Sequence, residues 1–542
     1  IDMRDRLDLT EKSSLLDKFA RWWFYRNRQL RIEDTVPARQ SFASLYEINE
    51  RNKKAGIIPD RDTHMGIGIK KEPYKKISEK KLANFVPKEI YIPDDWRLRH
   101  FLCFGSTGSG KTKLMTYMIY QDILKGYNVA VFNPKSDPMG KDDDTSGNEL
   151  LSYIIQACIQ SGRLDDLLVV TPLFPECSIE LNPLKHFMIE DELIQHVISS
   201  VKSKEQYFEN VAYEVSTAII MSLVVQERIK GKNPNINFMD VKEKVDYAAL
   251  QALGNSIEYY KSFPDPDIRE KIEMGLLTIR QIGRSPQDFF SKVSSSLRTV
   301  MTTLTTSVAG KIIGCARKNE FIERLEENKR VVFVCNTDNS LMPRASHIIN
   351  RAIISMIIAA AGRAGAHGMM LNSPLAVYVD EGHNVLFNGI EEFFGKGRSA
   401  QIYLHLFTQS VSEIIKTVGE DVTKSILNNI NTWCVMKTND PDTAEYLASA
   451  SPETTEWIPV VTIGGGKDPN INLRAGTVPL ITKDAIMGLD QTFYYLRNGH
   501  NYMNGKVPFI PPPAIRVIMP EANENELRGY DRVIMQAEGG EA

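Results

Sequence analysis

From about Pro87 onward the chain alternates short, near-continuous apolar runs with longer stretches whose apolar residues recur every three or four positions. Runs of the first kind read as strands covered on both faces, and stretches of the second as the helices that cover them. The runs are His100 to Phe104, Asn128 to Asn133, Leu167 to Thr171, Arg330 to Cys335, Leu375 to Asp380, Tyr403 to Thr408 and Thr432 to Lys437. Together they predict an α/β fold built on a mostly parallel sheet. Between Leu184 and about Leu325 the strand signal stops. Leu193, Ile194, Val197, Ile198 and Val201 recur at helical spacing there, as do Val293, Leu297, Val300, Met301, Leu304 and Val308, so an all-α domain is expected inside the core.

The first hundred residues are charged and read as irregular. One amphipathic stretch, Leu15 to Leu30, sets Trp22, Trp23, Phe24 and Tyr25 among Lys18, Arg21, Arg26 and Arg28; it suits a membrane surface or the face of its own domain equally. Lys70 to Lys81 reads as a solvated linker. Beyond Pro452 come a glycine-rich loop at Gly464 to Gly466, a strand at Thr492 to Arg497, the break Pro511 to Pro513 and a polar tail. The expected divisions are 1–86 as a juxtamembrane or linker region, 87–184 and 326–510 as two parts of the α/β core, 185–325 as the helical insertion and 511–542 as the tail.

A length of 542 residues calls for at least two packed domains, and 42% apolar with 25% charged residues is ordinary globular composition. The net charge of -3 and pI of about 6.4 exclude a globally basic surface, so any nucleic-acid contact must be local. Six cysteines without a C-x-x-C pair, most of them inside apolar runs, read as buried thiols and not as disulfides or a zinc site. No run reaches the roughly 18 apolar residues of a membrane helix; Glu214 and Arg351 interrupt the best ones. The chain begins at Ile1 and not at Met, which leaves room for a membrane anchor upstream.

The strongest chemical signal is GSTGSGKT, with Gly105, Thr107, Gly108, Ser109, Gly110, Lys111 and Thr112 placed between the apolar run HFLCF and the helical stretch KLMTYMIYQDIL. Strand, glycine loop and helix in that order form a phosphate loop, whose backbone N–H groups turn inward at a helix N-terminus. Lys111 then neutralises the β and γ phosphates of ATP, and Thr112 gives its hydroxyl oxygen to Mg2+. A second apolar run, PLAVYV, delivers Asp380 and Glu381 at its carboxyl end. Asp380 suits the magnesium shell and Glu381 the general base for the attacking water. Gln409 closes the next strand and is placed to sense the γ phosphate or orient the water, the other reading being a loop amide. Arg398 is the candidate for completing a neighbouring subunit's site; Arg344, Arg351 and Arg363 are alternatives, as is a plain surface role. His383 and Asn384 read as supporting residues.

Five motifs in order, RLRHFLCFGSTGSGKT, VAVFNPKSD, DDLLVVTP with IELNPL, LAVYVDEGHN and GRSAQIYLHLFTQSVSEI, resemble the TraD/TraG-like coupling ATPases of type IV secretion and conjugation, over about Pro87 to Leu447. The resemblance implies a RecA-like P-loop motor with an inserted all-α domain, working as a homo-hexamer under the bacterial inner membrane on its cytoplasmic face. It implies ATP-driven delivery of single-stranded, relaxase-linked DNA or of proteins to the components of a type IV secretion channel, with membrane attachment through a segment absent from this chain. On the family's pattern Lys111 and Thr112 fall in the phosphate loop, Asp380 and Glu381 are the magnesium and water pair, and Gln409 is the distal glutamine. Asn133 departs from the acidic residue frequent before the Pro-Lys step, which leaves the role of Lys135 open. A double-stranded DNA translocase like FtsK and HerA is one rival, and a docking platform for protein effectors, with little motor action, is another. Substrate choice is expected in the helical insertion, on faces such as Ser294, Ser295, Ser296, Thr299 and Thr302, which helix packing explains equally well.

Overall fold

The computed structural model describes residues 62–71, 88–135, 149–201, 206–284, 286–337, 341–462 and 470–514, less single positions at 98, 288, 289, 291, 293, 307 and 388. Leu15 to Leu30, Gly464 to Gly466, most of Lys70 to Lys81 and the tail from 515 lie outside these residues. The strands are β1 (Asp62–Lys71), β2 (Lys88–Pro93), β3 (Phe101–Phe104), β4 (Asn128–Asn133), β5 (Leu167–Val170), β6 (Val332–Asn336), β7 (Leu375–Val379), β8 (Ile402–Thr408), β9 (Thr432–Met436), β10 (Glu453–Thr462), β11 (Asn470–Pro479), β12 (Phe493–Asn498) and β13 (Asn501–Lys506). The chain forms two compact units, Ile1–Gln121 with His405–Pro512, and Asp122–Leu404 with Pro513–Ala542.

In the unit centred on Asp122–Leu404, β4 pairs in parallel with β7 on one side and β6 on the other, and β6 pairs in parallel with β5. Every residue of β4, β5 and β7 is buried, which is why β5 and β7 are apolar at each position, β4 is apolar between its terminal asparagines, and none of them alternates. Between β5 and β6 the described chain is helical apart from its stem, with helices Glu190–Ile198, Gln206–Ile229, Tyr247–Glu258, Pro266–Gly283 and Ser295–Thr306. The stem is clamped where the chain leaves and returns: Leu181 bridges Asn319, and the Asn319 side-chain amide donates to the Asn182 carbonyl at 2.8 Å. Val225, Ile257, Ile268, Ile272 and Leu276 give this segment an apolar core of its own. The helix Pro343–Ala366 starts with Pro343 at its first turn, where the missing N–H costs nothing. Among the described residues it is the one helix long and apolar enough to cross a membrane, and 72% of its most apolar stretch is buried inside the protein.

In the other unit, β3 lies between β8 and β9, parallel to both, with Cys103 opposite Phe407 and Cys434. An antiparallel series continues from β9 through β12, β13 and β1 to β2. Here the structure corrects the reading of the first hundred residues as irregular, because β1 and β2 are regular strands and β1 is paired on both sides. Its contact with β13 depends on absent side chains: a Cβ on Gly68 would lie 2.1 Å from the Asn504 carbonyl oxygen. A second correction concerns the region after Pro452, where β10 and β11 form a hairpin with ten paired positions, Glu453↔Pro479 to Thr462↔Asn470. Of the six cysteines, Cys315 is exposed and the other five are buried.

Candidate functional site

The glycine loop sits in the unit that contains β3. β3 is buried throughout, and the chain leaving it is pinned at once: Gly105 N–H donates to the Thr408 carbonyl at 3.2 Å and Ser106 N–H to the Lys437 carbonyl at 2.7 Å. The loop then turns through Gly108 at φ 79° and Gly110 at φ 106°, a backbone region that L side chains resist. The helix Lys111–Lys125 follows directly, its first turn closed by Leu114 N–H on the Gly110 carbonyl at 3.0 Å. Lys111 is buried and its ammonium folds back over the loop, donating to the carbonyls of Gly105 and Ser106, the latter at 3.1 Å. Thr107 and Gly108 are exposed at the tip, and Ser109 is buried beneath them, its carbonyl taking the Thr492 N–H at 2.8 Å. Thr112 is half-buried on the first helical turn.

The bond from Gly105 to Thr408 brings Gln409, the residue after β8, beside this loop. Its backbone is fixed by a helix start: Ser410 caps the helix Val411–Val418 by accepting from Glu413 N–H. Glu413 in return accepts from Gln409 N–H and from the Thr408 hydroxyl, each at 3.2 Å.

The acid pair lies in the other unit, at the carboxyl end of β7. Asp380 is buried, and its N–H still follows the sheet by donating to the Phe132 carbonyl at 3.1 Å. Glu381 adopts a left-handed conformation, φ 49° and ψ 54°, which turns the chain sharply out of the strand. Asp380 Oδ1 accepts the Glu381 N–H at 2.9 Å. Asn384, expected to play a supporting part, donates its amide to Glu381 Oε2 at 3.0 Å, and its own carbonyl accepts from Arg351 Nε at 3.3 Å. Lys135 stands against both acids, its Nζ 3.6 Å from Asp380 Oδ2 and 3.1 Å from Glu381 Oε1. Sequence reasoning left Lys135 unassigned; the available signal was a lysine two residues beyond a buried strand, and only the pairing of β4 with β7 shows what it faces.

Arg398 is exposed on the 3-10 turn Gly397–Ala400, where its carbonyl accepts the Gln401 N–H at 3.1 Å. Two of the alternative arginines are already engaged within the chain. Arg351 is buried against Asn384, and Arg363 is paired with Glu192 and Glu326. Arg344 is exposed at the start of the helix Pro343–Ala366. The oxygens that the motifs assign to a metal, the Thr112 hydroxyl and the Asp380 carboxylate, are hard donors of the kind magnesium takes. The glycine turns and the buried lysine suit a triphosphate.

With this geometry in hand, comparison with known proteins gives three findings. Residues 374–491 match the family model of the TraM recognition site of TraD and TraG. The type 4 coupling protein DotL of Legionella pneumophila subsp. pneumophila is 25% identical over 190 residues, covering 33% of this chain. The chain is similar to the type IV coupling proteins in this segment. The match spans about a quarter of DotL, 23% of its length. Its fold is also that of the bacterial conjugative coupling protein TrwBdeltaN70, with a TM-score of 0.53, 16% identity, and 77% of this chain and 85% of the other covered. The plasmid coupling protein TrwB in complex with the non-hydrolysable ATP analogue ADPNP gives 0.54, 15% identity, and 82% and 94%. TrwB in complex with ADP and Mg2+ gives 0.52, 14% identity, and 85% and 97%. The family-model segment contains Asp380, Glu381, Arg398 and Gln409.

Proposed function

We propose that this chain is a magnesium-dependent ATPase that drives DNA or protein substrates toward a type IV secretion channel. The observation that carries the reading is the loop Gly105–Thr112, with its two positive-φ glycines, its helix beginning at Lys111 and its buried lysine folded over the loop. In this reading the loop N–H groups and Lys111 hold the phosphates, Thr112 and Asp380 are the magnesium ligands, and Glu381 draws a proton from the attacking water. Magnesium supplies charge neutralisation at the phosphates. Gln409 senses the γ phosphate, and Arg398 reaches the site of a neighbouring subunit in a homo-hexamer.

The likeness to TrwB and DotL supports a place at the cytoplasmic face of a bacterial inner membrane and a relaxase-linked single strand as cargo. The segment that matches the TraM recognition model, 374–491, supports contact with the DNA-processing partners that such proteins meet. The helical segment between β5 and β6 is where substrate choice is placed.

Steady-state ATP hydrolysis tests this with single-stranded DNA, double-stranded DNA and no DNA over a range of salt, for the wild type, Lys111→Ala and Glu381→Gln. The expected result is activity stimulated by single strands, falling as salt rises through counterion release, and lost in both variants. Stimulation by duplex alone would favour a double-stranded translocase, and substitution-sensitive activity indifferent to DNA a docking platform. Activity surviving both substitutions would sink the site.

A further inference from the structure

We propose that Lys135 is a tethered cation: it holds Asp380 and Glu381 together before a divalent metal arrives, yields Asp380 to that metal, and remains as a positioning residue for Glu381. The inference rests on the ATPase reading only for its last step.

Two consecutive carboxylates at the end of a buried strand repel each other, and Asp380 is 1% exposed, so solvent relieves little of that repulsion. Lys135 Nζ lies between them, 3.6 Å from one oxygen of Asp380 and 3.1 Å from one of Glu381. Its origin is fixed, because Lys135 N–H donates to Asn133 Oδ1 at 3.2 Å and Asn133 ends β4, the strand paired with β7. Its ammonium is carried on a flexible four-carbon stem, and the side chain is 33% exposed.

Glu381 shows the opposite property. Its Oε2 takes the Asn384 amide, Asn384 is held by buried Arg351, and its Oε1 takes Lys135. Each carboxylate oxygen therefore has its own donor. Asn384 and Arg351 are buried in the fold, and the Lys135 ammonium is the partly exposed donor of the set. A divalent ion at Asp380 carries twice the charge of Lys135 and repels it, which moves the ammonium toward Glu381 without removing it from that carboxylate. Asn133 acquires a reason from the same geometry. Its neutral side chain orients the Lys135 backbone and adds no third negative charge beside the acid pair.

The test reads metal binding apart from turnover. Mn2+ is titrated into the nucleotide-free full chain, followed by electron paramagnetic resonance, for wild type, Lys135→Met, Lys135→Arg and Asp380→Asn, with circular dichroism confirming that each is folded. Lys135→Met is expected to bind Mn2+ roughly tenfold more tightly than wild type, the screened effect of removing one full charge a few ångströms away. Lys135→Arg should stay near wild type and Asp380→Asn should lose the site. In ATP turnover Lys135→Met should lower kcat at least tenfold with KM for ATP within about twofold, because Glu381 loses a donor while the phosphate loop is untouched. Unchanged or weaker Mn2+ binding in Lys135→Met would overturn the proposal, whatever the hydrolysis shows. Tighter binding in Lys135→Met, with no hydrolysis by wild type, would keep the tethered cation and reject the ATPase reading.

Discussion

His196 sits on the helix Glu190–Ile198, fully buried, with Nδ1 hydrogen-bonded to the Ser355 hydroxyl of the helix Pro343–Ala366 at 2.9 Å. Burial, reinforced by the Arg363 guanidinium, pushes its pKa from 6.5 down to about 3. The unfolded chain takes up a proton near the first value, and the folded chain refuses it until near the second. Stability owed to the neutral imidazole is therefore whole above pH 6.5 and is lost as pH falls from there toward 3. Between pH 7 and pH 5 the loss is about 2 kcal/mol, since roughly one and a half units of pH lie inside that window at 1.36 kcal/mol each. The assay is urea unfolding followed by circular dichroism at both pH values, for wild type and His196→Gln. Carboxylates titrate alike in the two proteins and cancel in the difference. Wild type should lose about 2 kcal/mol more than the variant over this interval. Equal losses would show that His196 is already protonated or solvated in the folded state, and would refute the argument.

Two further outcomes follow from single contacts. Gly110→Ala sets a side chain at φ 106° with its Cβ 3.2 Å from Thr492. A strain of about 1–3 kcal/mol should weaken binding of a fluorescent ATP analogue roughly tenfold or more, and an unchanged Kd would remove the loop's conformational requirement. Tyr378→Phe deletes the hydroxyl that donates to buried Asp122 Oδ2 at 2.6 Å. The loss should be about 1.5–3 kcal/mol by urea unfolding, and a shift under about 0.5 kcal/mol would show the carboxylate to be satisfied by other donors.

The buried parallel strands were legible because a strand covered on both faces is apolar along its length, as β5 and β7 are throughout and β4 is between its terminal asparagines. The glycine loop was legible because its local backbone demands are written in residue types. β1 and β13 were not, since Gly66, Gly68, Asn504 and Gly505 dilute the apolar pattern that hydropathy follows. In β10 the sequence carries Pro459, which argues against a central strand, and the two-stranded hairpin tolerates it. Arg351 was read as an interruption in an apolar run. A charge buried on such a helix needs an acceptor, and the Asn384 carbonyl supplies it, a partner that no local pattern reveals. Lys135 stayed open for the same reason: its partners are distant in sequence and adjacent only through strand pairing.

The double pairing of β1 has a mechanical meaning. Ile67 to Lys71 are laddered to β13 while Asp62 to Gly68 are laddered to β2. Tension applied along the chain at Asp62 runs parallel to both ladders, so their hydrogen bonds are loaded together in shear and not opened one after another as in peeling. The strand thus acts as a splice: force arriving from upstream would be spread over two neighbours, and the loop that follows β3 would be shielded from the pull.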